Sequence, residues 1–377
     1  MTRQIVILGA SITGLGVAHK LLKHTYPLTQ DFKVTLVSPS DHIYWNLASV
    51  RGIVPGQFKD DDLFQPFLPG FDRYPKESFE FILGTAHKVD LSSNTVLVND
   101  GREIRYDHLV VATGASYKDG MPWKPLKDHQ STLDALHDLQ SKVAAAKTIV
   151  IGGGGATGSE VAGEIAFEYY QKGKEVTIVT SDKRLLPTLP EHISQIAEKE
   201  LSRLGVKIVH GTKIARTSRT ADGKTKLSLS TSAPDLIVDL YLPTIGETPN
   251  TSFLPSSLLN DKGDVIVDEF LRAKSTTSIW AAGDVTGLEP KQAKYAEDQA
   301  VHLAKNLHNV LQGREPVEYG TSCLRVIAVT LGRSKGTGVM CGWRLPSISV
   351  WLFKGRYLGT DKFRSIANGE RMLMSAI

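Results

Sequence analysis

Sulfur is scarce in this chain. Its 377 residues hold two cysteines, Cys323 and Cys341, both near the carboxyl end. That count excludes a disulfide scaffold, a multi-cysteine zinc site and a Cys-x-x-Cys redox centre, and no metal is expected. The two thiols read as small buried apolar residues. Long hydrophobic runs are missing too, since no uninterrupted apolar stretch approaches the ~18 residues that span a bilayer. The opening Met1-Thr2-Arg3-Gln4 passes straight into an apolar strand at Ile5, so no targeting peptide is expected in the sequence as given. Thr2 stands where N-myristoylation needs glycine. The expected address is cytoplasmic, or peripheral on an intracellular membrane. Charge of one sign is in short supply as well. A net charge of +4 suits anionic cofactors or a membrane surface and gives no reason to expect nucleic acid. What is present is 41% hydrophobic and 22% charged residues, the balance of a folded chain with a sizeable core.

The most informative feature is a repeat. Ile5-Val6-Ile7-Leu8 runs into Gly9-Ala10-Ser11-Ile12-Thr13-Gly14, a helical stretch Leu15 to Lys23 and a second apolar strand, Lys33 to Val37. Thr148-Ile149-Val150-Ile151 runs into Gly152-Gly153-Gly154-Gly155-Ala156-Thr157-Gly158, a helix striped by Val161, Ala162, Ile165 and Ala166, and the strand Glu175 to Val179. Each is a strand, tight glycine turn, helix and strand, the unit that binds a dinucleotide. The first glycine makes the turn, the second admits a pyrophosphate, and the third lets helix and strand pack closely. Ser11 replaces the second glycine in the first copy. Neither unit carries the ribose-binding carboxylate at its second strand end, where Ser38 and Thr180 stand. Ser38 can still meet a ribose hydroxyl. Lys183 and Arg184 are candidates for a 2′-phosphate, so NADH against NADPH stays open. Strands are also expected over 79–113, over 206–242 with a hairpin at Asp222-Gly223, and at Ile279-Trp280-Ala281. A helix is expected from about Pro290 to Leu311. The fold class that follows is α/β, with two Rossmann-like dinucleotide-binding domains and a small C-terminal α+β region.

With Ala112-Thr113-Gly114 and Ala281-Ala282-Gly283-Asp284 added, the chain resembles the FAD/NAD(P)-binding pyridine nucleotide-disulfide oxidoreductase superfamily. Within it, the chain looks most like the apoptosis-inducing-factor-like branch that holds AMID (ferroptosis suppressor protein) and type II NADH dehydrogenases. Three stretches carry that finer likeness: Asn46 to Arg51, Gly155 to Glu164, and Thr330-Leu331-Gly332-Arg333 followed by Gly336 and Gly338. The resemblance implies FAD in the first unit and NADH or NADPH in the second. It divides the chain into 1–115 and 245–313 for FAD, 116–244 for NAD(P)H, and 314–377 as a C-terminal domain. It implies that Gly9 to Gly14 hold the FAD pyrophosphate, with Thr113 and Gly114 beside them. Arg51 and Ala86 would contact the FAD, and Asp284 the ribityl or pyrophosphate region. Gly153, Gly155 and Gly158 would serve the nicotinamide cofactor, with Glu160 near its carboxamide.

Relatives that reduce disulfides need cysteine beside the flavin, where this chain has His42-Ile43-Tyr44-Trp45-Asn46. No dithiol relay operates there. The remaining route is direct, from NAD(P)H to flavin to a diffusible, quinone-like acceptor. Lys291, near the start of the helix that follows, is expected to raise the flavin potential through its charge. Tyr44, Trp45, Tyr295, Phe353 and Tyr357 are the aromatic candidates for an acceptor slot. The tail from Trp343 mixes apolar residues with Arg344, Lys354, Arg356, Lys362, Arg364 and Arg371. It suits either an anionic membrane face or a domain packed on the first unit. A redox-sensing flavoprotein, a ferredoxin reductase and a metabolite-tailoring oxidoreductase are the competing functions, and the oligomeric state is open.

Overall fold

Runs of β-branched and aliphatic residues without polar interruption make strands covered on both faces. Two such parallel sheets form the frame of the computed structural model, which describes residues 2–99, 101–117, 119–320 and 326–375. The first sheet is ordered Ile279–Ala281, His108–Val111, Arg3–Leu8, Phe32–Ser38, Phe79–Leu83. The second is ordered Lys207–Val209, Glu175–Val179, Thr148–Gly152, Leu240–Pro243. In both, the strand before a glycine turn lies inside the sheet, with the strand after the helix as its parallel neighbour. This is the arrangement of two Rossmann-like dinucleotide-binding units.

Each sheet carries an antiparallel three-stranded satellite. One spans Ala86–Asp90, Thr95–Val98 and Arg102–Arg105. The other spans Ile214–Arg219, Thr225–Leu229 and Leu236–Val238, and the Asp222-Gly223 hairpin closes as its sequence requires. A short antiparallel pair, Ala115–Tyr117 with Glu247–Pro249, ties the two crossings between the units.

The helix expected at Leu15–Lys23 is regular over Ile12–Lys20 and then widens into a π turn, Leu21–Thr25. The helix expected from Pro290 begins at Ala293, because Gln292 before it is extended (φ −138°, ψ 146°). His129–Ala145 and Glu191–Arg203 are helices that the sequence reading did not single out. The C-terminal region is a hairpin, Val326–Thr330 with Gly336–Met340, followed by a helix over Ser347–Val350 that continues through a π turn to Gly355, and a last helix Thr360–Ala367. Cys341 corrects one expectation. It sits exposed in the turn after that hairpin, with φ +49°. Cys323 lies outside the described residues.

The tail both packs and projects. Phe363, Ile366 and Met372 are buried, and Met372 lies over Gly16, where a Cβ would come within 2.6 Å of its methyl carbon. Gly16 therefore lets the tail close on the first glycine-turn helix. Nearby, His19 is fully buried, stacked on Phe71 at 4.1 Å, with Nδ1 3.1 Å from the Tyr74 hydroxyl. Burial, reinforced by Arg73, pushes its imidazole down to about 3. The unfolded chain takes up this proton near pH 6.5, so stability is complete above that value. It falls by about 1.4 kcal/mol per pH unit as the pH drops toward the folded value. The unfolding free-energy gap between the wild type and His19→Gln is accordingly expected to narrow by roughly 2 kcal/mol from pH 6.5 to 5 in urea titrations. A gap independent of pH would contradict the neutral, buried imidazole.

Candidate active site

The first glycine turn is built to leave backbone bare. Gly9 has φ +103°, and a Cβ on it would lie 2.4 Å from the Ala112 carbonyl oxygen. A Cβ on Gly14 would lie 1.8 Å from the Gly9 carbonyl oxygen. Ser11 between them is extended (φ −116°, ψ −161°), a conformation open to any residue, so serine replaces glycine there without strain. No side chain caps the helix that begins at Ile12, and its first turn holds no acid. Its leading N–H groups and the positive end of its dipole are left for an anion. The second turn repeats the device. Gly153 has φ +125°, Gly155 caps the helix Ala156–Glu168 with no side-chain bond, and a Cβ on Gly158 would lie 2.1 Å from the Gly153 carbonyl oxygen.

The first turn opens on a cleft enclosing about 1150 Å³ of empty space, its solvent-open part included. Gly9, Ala10, Ser11, Ile12 and Thr13 form its floor, with Ser38 at the strand end and Thr113, Gly114 and Asp284 opposite. Four separate chain segments thus converge on one cavity at the carboxyl ends of parallel strands, where open α/β sheets bind ligands. The uncapped helix start, the turn that a Cβ would fill and the length of this lining fit a dinucleotide such as FAD.

Other residues singled out from sequence sit elsewhere. Arg51 does not line the cleft. Its guanidinium is buried and grips Glu164 in a fork, Nε to Oε2 at 2.9 Å and a terminal nitrogen to Oε1 at 2.7 Å, and also donates to the Gly355 carbonyl at 2.8 Å. Opposite charge and fork geometry hold it there rather than on FAD. Ala86 opens the first satellite sheet and packs against the core beneath it, away from the cleft lining. Glu160 is buried and accepts from Thr330 N at 2.9 Å and Lys354 Nζ at 2.6 Å, which binds the second glycine-turn helix to the C-terminal hairpin. Lys291 turns its ammonium to Asp264, 3.8 Å away, so its charge is not delivered to the cleft. The helix start itself is, since Ala293 and Ala296 line the cleft and no side chain caps the helix. Lys183 is exposed, whereas Arg184 is bound to the Pro187 and Leu189 carbonyls at 3.1 Å each. Of the aromatic candidates, Tyr44 lines the cleft. Its ring stacks on Phe64 at 4.7 Å and its hydroxyl donates to the Pro122 carbonyl at 2.8 Å. Trp45 and Tyr295 are packed inside, and Phe353 and Tyr357 are exposed.

Sequence reasoning missed two features of the lining. Lys124 is the one lysine or arginine among the described residues that line the cleft. Its ammonium is hydrogen-bonded to Asp284 and lies 3.2 Å from Glu247. Burial pushes its pKa down, but the two carboxylates prevail and hold it above the ordinary lysine value. Nothing in the Pro122-Trp123-Lys124-Pro125 stretch announces this, because both carboxylates come from more than a hundred residues away. The second is a stacked pair, His42 on His129 at 4.1 Å, with Asp41 bound to His42 Nδ1 at 2.7 Å. Burial and the neighbouring His42 push His129 below the usual histidine value.

Comparison with known proteins agrees with this geometry. Residues 3–300 match the family described as pyridine nucleotide-disulphide oxidoreductase. The chain is 39% identical over 92% of its length, and 94% of the relative's, to oxidoreductase ptaL of Pestalotiopsis fici. It is 27% identical over 95% of its length, and 94% of the relative's, to ferroptosis suppressor protein 1 of Xenopus tropicalis. The fold is shared with the sulfide:quinone oxidoreductase of Aquifex aeolicus, with a TM-score of 0.78 at 19% identity, covering 97% of this chain and 92% of the other. With its twin glycine turns and the match along residues 3–300, the chain belongs to the pyridine nucleotide-disulphide oxidoreductase family and is a flavin-dependent pyridine nucleotide oxidoreductase.

Proposed function

We propose that this chain passes reducing equivalents from NADH or NADPH, through bound FAD, to a diffusible quinone-like acceptor with no thiol between them. This is the reading its likeness to the ferroptosis-suppressor branch supports. The flavin supplies the two-electron chemistry when bound. The protein's residues position it and set its electrostatics. The observation that carries the proposal is a cleft wall with no cysteine or methionine among its described lining residues, to which Tyr44, stacked on Phe64, contributes. A planar apolar acceptor needs such a wall. Residues 1–115 and 245–313 would hold FAD, and 116–244 the nicotinamide cofactor through Gly153, Gly155 and Gly158. Exposed Lys183 is the residue available to a 2′-phosphate.

Within this reading, Lys124 takes the electrostatic role first expected of Lys291. Its removal leaves the Asp284 carboxylate, which lines the cleft, and Glu247 without the cation they share. Lys124→Met is expected to lower the midpoint potential of the bound flavin by roughly 30 mV or more, at about 30 mV per 1.4 kcal/mol. Lys291→Met should leave it unchanged. Equal midpoints in wild type and Lys124→Met, by spectroelectrochemistry, would remove the assignment. The whole proposal is tested by anaerobic reduction. NADH or NADPH should bleach the flavin band, and a quinone should restore it within the time of turnover. Bleaching that no quinone reverses would instead support the redox-sensing function. A metabolite-tailoring oxidoreductase is the second reading, because the relative of higher identity is named an oxidoreductase without a quinone. Turnover with a specific metabolite and none with quinones would favour it.

A further inference from the structure

The helix over Ser347–Gly355 has two unlike faces. Its inner face is fixed. Val350 is buried, Lys354 Nζ donates to Glu160 at 2.6 Å and to the Ala328 carbonyl at 2.9 Å, and the Ser347 hydroxyl accepts from Gly336 N at 3.0 Å. Its outer face is apolar and uncovered. Ile348 is 62% exposed, Leu352 53% and Phe353 86%. Residues four apart share a helix face, so Ile348 and Leu352 stand together, with Arg356 one turn further on. Trp343, on the strand just before, is 81% exposed beside exposed Arg344. Because the inner face is bolted down, this apolar surface cannot turn inward.

Charge identifies what covers it. Between Glu318 and Asp361 the sequence contains no acidic residue but six basic ones: Arg325, Arg333, Lys335, Arg344, Lys354 and Arg356. Arg333 and Lys354 are spent on Glu164, Glu168 and Glu160. Among the described residues, Lys335, Arg344 and Arg356 have no carboxylate partner, and all three are exposed. Arg356 lies over the rings of Trp351, at 6.0 Å, and Tyr357, at 4.8 Å. Such a surface pairs exposed apolar and aromatic side chains with unneutralised arginine, the composition that settles at the headgroup level of an anionic bilayer. A second copy of the chain fits poorly, because a two-fold contact would set these cations against themselves. Among the described residues no helix is long and apolar enough to cross a membrane, so the contact lies on the surface.

We propose that the outer face of this helix, with Trp343 and Arg344, docks the protein on an anionic lipid bilayer. The inference is independent of the acceptor. It is tested by co-sedimenting the flavin-loaded protein with vesicles of phosphatidylcholine alone and of phosphatidylcholine with phosphatidylserine. Partition onto the anionic vesicles is expected to be about thirtyfold stronger at low salt, from Arg344 and Arg356, and to weaken as salt rises. The double variant Ile348→Glu, Leu352→Glu should lose at least about tenfold in partition, and Arg344→Glu, Arg356→Glu should erase the preference for phosphatidylserine. An unaltered flavin band and far-ultraviolet circular dichroism would show that both variants fold. If one misfolds, the salt dependence and lipid preference of the wild type still decide. No sedimentation with anionic vesicles, partition indifferent to both variants, or a concentration-dependent dimer that leaves lipid unbound would each overturn the proposal.

Discussion

Gly14→Ala should yield a colourless protein. In the native turn the Gly14 Cα faces the Gly9 carbonyl, so an added Cβ would sit 1.8 Å from that oxygen and 3.0 Å from its carbon. Backbone cannot yield as a flexible side chain does. The helix Ile12–Lys20 must therefore move away from the strand Arg3–Leu8, and its leading N–H groups leave the cleft floor. The same helix packs on Ala300 and Met372 through Gly16, so the shift is resisted on its other side too. The expected result is loss of the flavin absorbance band from the purified protein, with the far-ultraviolet spectrum retained. Added FAD at a hundredfold excess over its dissociation constant stabilises a binding-competent chain by about 2.7 kcal/mol. It should raise the melting temperature of the wild type and leave that of the variant unmoved. Ser11→Gly is the matched control. Ser11 is extended and carries no capping bond, so its removal should leave the flavin in place. A yellow Gly14→Ala protein would show that the pyrophosphate does not rest on this turn.

Arg51→Met is expected to lower stability by about 3–5 kcal/mol, the loss typical when one partner of a buried ion pair is removed. Glu164 is fully buried, and Arg51 supplies both of its closest hydrogen bonds, with Arg333 Nε at 3.5 Å adding a weaker contact. Without Arg51 the carboxylate stays in the core largely uncompensated, and the Gly355 carbonyl loses its donor. Arg51→Met with Glu164→Leu should recover most of the loss, because an apolar pair of similar size carries no desolvation penalty. Urea midpoints of the single and double variants decide. If the double variant is no more stable than Arg51→Met, packing and not the uncompensated charge is responsible.

That junction explains what the family-like stretches are for. Asn46–Arg51, Gly155–Glu164 and the Thr330–Gly338 hairpin are far apart in sequence, yet they meet on one face of the helix Ala156–Glu168. Arg51 and Arg333 reach Glu164, and Thr330 reaches Glu160. A Cβ on Gly163 would lie 2.6 Å from Gly332 N, so the hairpin rests directly on that helix. Glu160 and Glu164 are four residues apart on one helix face, where like charges repel unless cations answer them. Arg51, Arg333 and Lys354 answer them. Motif likeness alone assigned Arg51 and Glu160 to cofactors, since a sequence gives a residue's type but not its partner.

The amino-acid order by itself determined the two parallel sheets, the twin glycine turns and the absence of a cysteine from His42 to Asn46. These are local matters: hydrophobic period, backbone freedom at glycine, and the presence or absence of an atom type. Tertiary structure alone decided that Lys124 rather than Lys291 faces the cleft, that Arg51 holds Glu164, that Cys341 lies in solvent, and that Phe363 is packed while Phe353 is bare. Each of those outcomes depends on which distant carboxylate or apolar surface the chain brings within a few ångströms. Charge pairing and burial act through space, so chain position does not encode them.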